Sequence, residues 1–304
     1  MTKTIQIKVS SPSGCGYGSV SADLDQNVMA LKKEIQARVL PKATPCRQRL
    51  TVAGRDQPIV LDDLKPLSEY FKEDKELYEV MYKDLGPQIA FRPVYVMEYL
   101  GPWFLYALFA LRIVPVYGAK ASVPLNTAQK IAFLLWMVHY SKRLLETFFV
   151  HEFGTLTMPV FNLFKNCAYY WSFAVAVGWN VNIPNESELA DWHVIIGFPW
   201  FCIFMLLNFV CHMRLKYMRP KGTNAFVIPH GGLFEYITCP NYFCEIMTWV
   251  GFNILTGFTP AGVAFNIVGA LQMLQWAKQR RAKYVKLFGK QWPRNRYVLF
   301  PFIY

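Results

Sequence analysis

Three short stretches concentrate the side chains that can move protons or hold charge in an otherwise apolar chain. In HYSKRLLETFFVHEF (139–153), His139, Lys142, Arg143 and Glu146 recur at three- and four-residue spacing, which puts them on one helical face. In NFVCHMRLKYMRPKG (208–222), Asn208, His212, Lys216 and Arg219 form a second stripe. In TCPNYFCEI (238–246), Asn241 and Glu245 stand one turn apart, with Tyr242 beside Asn241. Such residues cap and snorkel at helix ends or line a protein cavity. Three stripes converging on one side of a membrane favour the cavity. Arg214, Lys216, Arg219 and Lys221 form a cationic strip suited to phosphates. It leads into IPHGGLFEY, where Gly231-Gly232 permits close backbone approach.

Several chemistries lack their motif. No G-x-G-x-x-G follows a strand, so no Rossmann cofactor domain is expected. No H-E-x-x-H or Cys/His cluster with zinc spacing occurs, so no metal site is expected. No G-x-S-x-G supports a serine hydrolase. A tyrosine with cationic neighbours is left as the plausible acid. The seven cysteines are scattered without a C-x-x-C pair and mostly lie in apolar runs, so they read as buried thiols.

The elements that must position these residues follow from a division in composition. Residues 1–90 hold 13 Lys/Arg and 12 Asp/Glu, whereas residues 91–304 hold 19 and 8, so nearly all of the +12 net charge sits on the apolar part. Basic residues between apolar runs are the pattern of cytosolic loops, which argues against nucleic-acid binding as the origin of the high pI. Six candidate spans read as Tyr95–Val114, Ala128–Val150, Val160–Val181, Trp192–Met213, Tyr236–Leu255 and Pro260–Ala277, with a seventh short helix allowed. With residues 1–90 inside, Lys142-Arg143, the Arg214–Lys221 strip and Lys278-Arg280-Arg281-Lys283 all fall on the cytosolic side. The acidic loop Asn182–Asp191 falls in the lumen. MTKTIQIKVSSPSG has no apolar h-region, so the first span is expected to act as the membrane signal. The C-terminal residues Leu299–Tyr304 carry no lysine-based retrieval signal.

The first ninety residues alternate as strands do at TIQIKV (4–9), SVSAD (19–23) and ELYEVMY (76–82). Between them, VMALKKEIQARV (28–39) puts Val28, Leu31, Ile35 and Val39 on one helical face. This order is that of a β-grasp domain, and RLTVAGRD (49–56) resembles the ubiquitin-family hairpin. Because the chain runs on through Lys83-Asp84-Leu85-Gly86 into a span, conjugation is excluded and a docking or folding module is expected. The fold class is therefore α+β: a soluble ubiquitin-like β-grasp domain at 1–86, then an all-α polytopic membrane domain of 6–7 transmembrane helices at 87–304.

The motifs of the second part resemble the steroid 5α-reductase family, specifically its trans-2-enoyl-CoA reductase branch. The resemblance runs from about Tyr95 to Leu299-Phe300-Pro301-Phe302. It rests on HYSKRLLETFFVHEF, on N-x-x-x-H-x-x-L-x-x-x-R-P-x-G at 208–222, on C-P-N-Y-x-x-E at 239–245 and on Trp276-Ala277-Lys278 followed by Tyr284. A ubiquitin-like segment ahead of this domain is also a feature of that branch. The resemblance implies a helical membrane domain with NADPH in a polar cavity open to the cytosol, in the endoplasmic-reticulum membrane. The implied reaction is the last step of very-long-chain fatty acid elongation, reduction of a long-chain trans-2-enoyl-CoA, alongside other elongase components.

It further implies Tyr242 as proton donor or enolate stabiliser. Lys142 is its partner, acting on the tyrosine or on the thioester oxygen. Asn208, His212, Arg219, Asn241, Glu245 and Tyr284 are implied as cofactor contacts, with Asn241 and Glu245 at the carboxamide and Arg219 at phosphate or adenosine. His139, Tyr140, Arg143 and Glu146 are placed toward substrate. Two positions depart from the steroid-reducing members: His212 stands where those carry aspartate, matching the enoyl-CoA branch, and Phe226-Val227 replaces a Tyr-Arg pair. Rival readings are a steroid or polyprenol reductase of the same scaffold, a methyltransferase of the isoprenylcysteine type, and a non-enzymatic membrane adaptor displaying a ubiquitin-like domain.

Overall fold

The computed structural model describes residues 4–54, 57–72, 75, 77–113, 115–151, 157–185, 188–219 and 226–301. The described chain forms two compact units, bounded as Met1–Phe91 with Thr155–Asn162, and Arg92–Gly154 with Leu163–Tyr304.

In the first unit, β1 (Thr4–Ser10), β2 (Gly16–Asp23), β3 (Gln48–Val52), β4 (Ile59–Val60) and β5 (Leu77–Asp84) form one sheet in the order β2-β1-β5-β3-β4. β1 runs parallel to β5 at the centre, and the other neighbours are antiparallel. The alternation in TIQIKV turns Ile5, Ile7 and Val9 inward. They meet α1 (Val28–Arg38), which buries Val28, Leu31 and Ile35, with Val39 packed at its end. Asn27 caps α1 by accepting from the Ala30 amide at 2.9 Å. The buried Gln48 amide donates to the carbonyls of Lys32 and Ala43 at 2.9 and 2.7 Å, tying helix to sheet. A short ladder pairs β6 (Gln88–Ala90) with β7 (Thr157–Pro159).

The second unit is helical: α2 (Phe91–Ala110), α3 (Thr127–Phe149), α4 (Val160–Val181), α5 (Asp191–Met218), α6 (Pro240–Leu255) and α7 (Pro260–Phe288). The bounds of α3 and α4 lie within a residue of the sequence expectation. α5 and α7 run longer, whereas α6 starts four residues later than expected because Pro240 opens it and the preceding residues form an irregular segment. Asn126 and Gln129 close a reciprocal capping box on α3.

By length and hydropathy, α5 alone among the described helices qualifies to cross a membrane, and α2 with the short turn Pro115–Ser122 qualifies as a bent pair. The other long helices carry polar stripes or, for α6, only 16 residues. Apolar side chains nevertheless stand exposed on them: Leu134 of α3, Phe161 of α4 and Leu271 of α7.

An aromatic hub centres the unit. Tyr106 stacks on Trp136 with centroids 4.5 Å apart, and Trp249 and Phe252 of α6 pack against Trp136 at 5.2 and 5.5 Å. Trp136 donates through Nε1 to the Pro102 carbonyl at 3.0 Å, fixing α3 against α2. α5 and α6 approach through glycines. A Cβ on Gly197 would lie 2.5 Å from the Leu255 amide nitrogen, and one on Gly251 would lie 2.6 Å from that of Phe201. Gly251→Ala is therefore expected to destabilise the full chain by about 1–3 kcal/mol through overpacking. The unfolding temperature in detergent checks it, against Gly16→Ala in the open part of β2, which should be neutral.

Candidate active site

The first stripe lies on the inner face of α3, and one carboxylate organises it. Glu146 is 1% exposed, with Lys142 Nζ 3.0 Å from Oε1, and Arg143 Nη1 and His212 Nδ1 each 3.0 Å from Oε2. Arg143 also donates to the Tyr99 hydroxyl at 2.6 Å and lies 4.8 Å over that ring. Lys142 donates onward to Asn208 Oδ1, and Asn208 Nδ2 donates to the Asn241 carbonyl at 2.9 Å. These contacts join all three sequence stripes in one buried network across α3, α5 and α6.

A second pair closes the network. His139 Nε2 lies 3.2 Å from Glu245 Oε1, which also accepts from Trp249 Nε1 at 3.3 Å. His139 is buried, and its Nδ1 has no partner among the described residues. Tyr140 is buried in the aromatic hub, 5.1 Å from Trp136. Asn208 has both amide atoms engaged and Glu146 is ringed by cations, so these two act here as positioning groups.

Among the described residues no hydrogen bond joins Tyr242 to Lys142. Tyr242 packs toward Trp276 of α7 at 6.2 Å, and the cation facing its hydroxyl is Arg280, which also faces Tyr284. Tyr284 stacks on Trp292 at 4.8 Å and is reached by the charge of Arg219. Lys283 sits 3.7 Å above the Phe226 ring. Several cations beside aromatic faces match phosphates and a flat heteroaromatic ring, so the donor set fits a dinucleotide. The start of α6 is strapped by the chain end. Thr238 donates its amide to the Tyr297 carbonyl at 2.8 Å, and Arg296 reaches the Pro229 carbonyl at 2.7 Å and Glu235 at 3.2 Å.

Two side chains escaped the sequence reading. Glu98 of α2 is buried and accepts from Asn166 Nδ2 at 2.6 Å. A lone carboxylate within FRPVYVMEYLGPWF was its signal. Arg280 is one turn before Tyr284, but KQRRAK read only as a topology signal. The cationic strip divides. Lys216 donates to the Phe149 carbonyl at 2.6 Å, the charge of Arg219 reaches Tyr284, and Arg214 lies against Gly231. Lys221, with Pro220, Gly222 and Phe302 of the quoted motifs, lies outside the described residues. Cys211, Cys239 and Cys244 are buried, whereas Cys15 and Cys46 are exposed.

Glu146, His151 and His212 present ligand atoms within 4.8 Å of one another, the composition of a zinc site. Partial burial, with Arg143 and His212 alongside, holds the His151 imidazole down at about 3, so it is neutral. A dication would nonetheless have to displace Lys142 and Arg143 from the same carboxylate, which disfavours metal there.

A family model described as 3-oxo-5-alpha-steroid 4-dehydrogenase matches residues 156–304. The very-long-chain enoyl-CoA reductase of Dictyostelium discoideum is 37% identical over 311 residues, covering 98% of this chain and 99% of that one. A Caenorhabditis elegans protein named as a probable very-long-chain enoyl-CoA reductase is 39% identical over 287 residues, covering 91% of each. A mouse protein named trans-2,3-enoyl-CoA reductase-like is 33% identical over 227 residues, covering 72% of this chain and 63% of that one.

Asn208→Ala removes both the anchor of Lys142 and the tie to α6. It should lower stability by about 1–3 kcal/mol. An unchanged unfolding temperature in detergent would mean that the network does not join the helices.

Proposed function

The chain belongs to the very-long-chain enoyl-CoA reductase family, and we propose on that premise that it reduces very-long-chain trans-2-enoyl-CoA to the saturated acyl-CoA with NADPH, the last step of fatty acid elongation. The observation that carries the site assignment is the chain of contacts from Lys142 through Asn208 to Asn241, which brings three distant motifs to one place. The cofactor supplies hydride to C3 of the enoyl thioester. Arg219, Lys283 and Arg280 would bring positive charge to its phosphates, Tyr284 and Phe226 would border its rings, and the half-buried Asn241 and Glu245 would hold the carboxamide end.

Negative charge then gathers on the thioester oxygen, and C2 needs a proton. Lys142, fixed by Glu146 and Asn208, supplies preformed positive charge for that oxygen. Tyr242, with Arg280 against its hydroxyl, delivers the proton or holds the oxygen. His139, Tyr140 and Arg143 shape the wall toward substrate, and His212 holds Glu146 in place from α5.

The second unit is read as a membrane domain of six or seven spans in the endoplasmic reticulum, with its site and N-terminal unit on the cytosolic side. The exposed apolar side chains and the basic helix ends support this reading. The first unit is read as a ubiquitin-like β-grasp domain at residues 1–86 that serves docking. Its β2-β1-β5-β3-β4 order around one helix supports that, and other elongase components are the partners to test. The family model's description favours a steroid enone as a second reading.

Purified full-length protein in detergent, given NADPH and either a C18 enoyl-CoA or a 4-ene-3-ketosteroid, decides between them by product mass. Saturated acyl-CoA is expected, and reduction of the steroid alone would reverse the assignment. Tyr242→Phe should keep NADPH binding and lose about 10²–10⁴-fold in turnover. Arg219→Ala should raise KM for NADPH about tenfold or more, with that for substrate little changed. An unchanged NADPH value removes Arg219 from the cofactor site.

A further inference from the structure

Helical geometry separates Arg214 from the site. Asn208, His212, Lys216 and Arg219 share the inner face of α5, whereas Val210, Met213, Arg214 and Tyr217 recur at three- and four-residue spacing on the opposite face, roughly half a turn away. On that face a groove of about 370 Å³ opens between the end of α5 and the returning segment at His230. Phe209, Val210 and Met213 line it before Arg214, Tyr217 and Met218 line it beyond, and His230 faces it from the returning segment.

The arginine is seated there by the fold. Its guanidinium lies against the Gly231-Gly232 backbone. A Cβ on Gly231, whose φ is +83°, would come within 2.2 Å of Nη1. The nearby carboxylate of Glu235 is taken by Arg296 at 3.2 Å and by the Gly231 amide at 2.5 Å, and lies 3.9 Å from His230 Nδ1. Among the described residues Arg214 has no ion-pair partner, and it is exposed at the end of the one helix that qualifies by itself as a membrane span. An open apolar groove with an exposed cation in its lining, within the last turns of a span, complements a molecule with an acyl chain and an anionic head.

We propose that this groove binds an anionic phospholipid, its phosphate against Arg214 and His230 and an acyl chain along Phe209, Val210 and Met213. The site rests on the membrane reading of α5 and is separate from the dinucleotide site, since the groove and the stripe of Asn208, His212, Lys216 and Arg219 are centred on roughly opposite faces of α5. One guanidinium near a membrane surface is worth about 1 kcal/mol toward an anionic lipid, hence about fivefold selectivity.

The test equilibrates the full chain in detergent with mixed phosphatidylcholine and phosphatidylserine vesicles and quantifies co-purifying lipid by mass. Wild type should retain phosphatidylserine over phosphatidylcholine by about fivefold relative to the vesicle composition. Arg214→Gln should abolish that preference. Lys216→Gln, whose ammonium is engaged with the Phe149 carbonyl, should keep it. Equal enrichment in wild type and Arg214→Gln overturns the proposal, as does loss in both variants, which would indicate a diffuse basic surface. Displacement of the retained lipid by long-chain enoyl-CoA would assign the groove to substrate and likewise overturn it. Recovery of the wild-type chain in the aqueous fraction would overturn the membrane reading together with the lipid site, whereas the other failures leave that reading standing.

Discussion

A carboxylate that is almost wholly removed from solvent, Glu146, is the constraint on which the helical unit depends. Lys142, Arg143 and His212 all turn toward it, and each would otherwise bring an uncompensated polar or charged group into an apolar bundle. Removing one member of such a cluster typically costs about 3–5 kcal/mol, because the remaining charge stays buried. The carboxylate thereby fixes where positive charge can stand. Lys142 can reach Asn208 only because its helix is pinned in this register, and Asn208 in turn holds the carbonyl that begins α6.

The apolar architecture serves the same end. The aromatic hub around Trp136 keeps water from one side of the network, and the glycine contacts let α5 and α6 come close enough for an asparagine to bridge them. Where water is excluded, a fixed charge acts on its neighbours at far greater strength than it would in water. The chain end contributes from the other side. Thr238 and Arg296 lock the irregular segment before α6, so that Tyr242 leaves the helix start in a fixed direction, toward Arg280 and Trp276.

Much of this was legible in the residues. Period-two alternation located β1, and three- and four-residue spacing located α1, α3 and the inner stripes, because burial on one face leaves that signature. Convergence of Lys142, Asn208 and Asn241 could be anticipated from the stripes and the resemblance, though their order of contact could not, since it depends on helix rotation and on the two glycines. Arg280 was hidden because a basic run at a span end has an ordinary explanation in topology. The strip at 214–219 looked continuous in sequence, yet consecutive helical positions point different ways, and its members part to three destinations. α3 carries charges on its inner face, and these remove it from the set of helices recognisable by apolarity alone.

Glu146 and Lys142 act as one unit, and a double-mutant cycle on kcat/KM reads that directly. Glu146→Gln, Lys142→Met and the double variant are compared in the enoyl-CoA reduction assay, with unfolding temperature recorded for each. Each single change is expected to be strongly damaging and the double no worse than the poorer single, a coupling toward the upper end of the usual range, about 2–3 kcal/mol. Losses that simply add would contradict it, since the two groups would then be working independently.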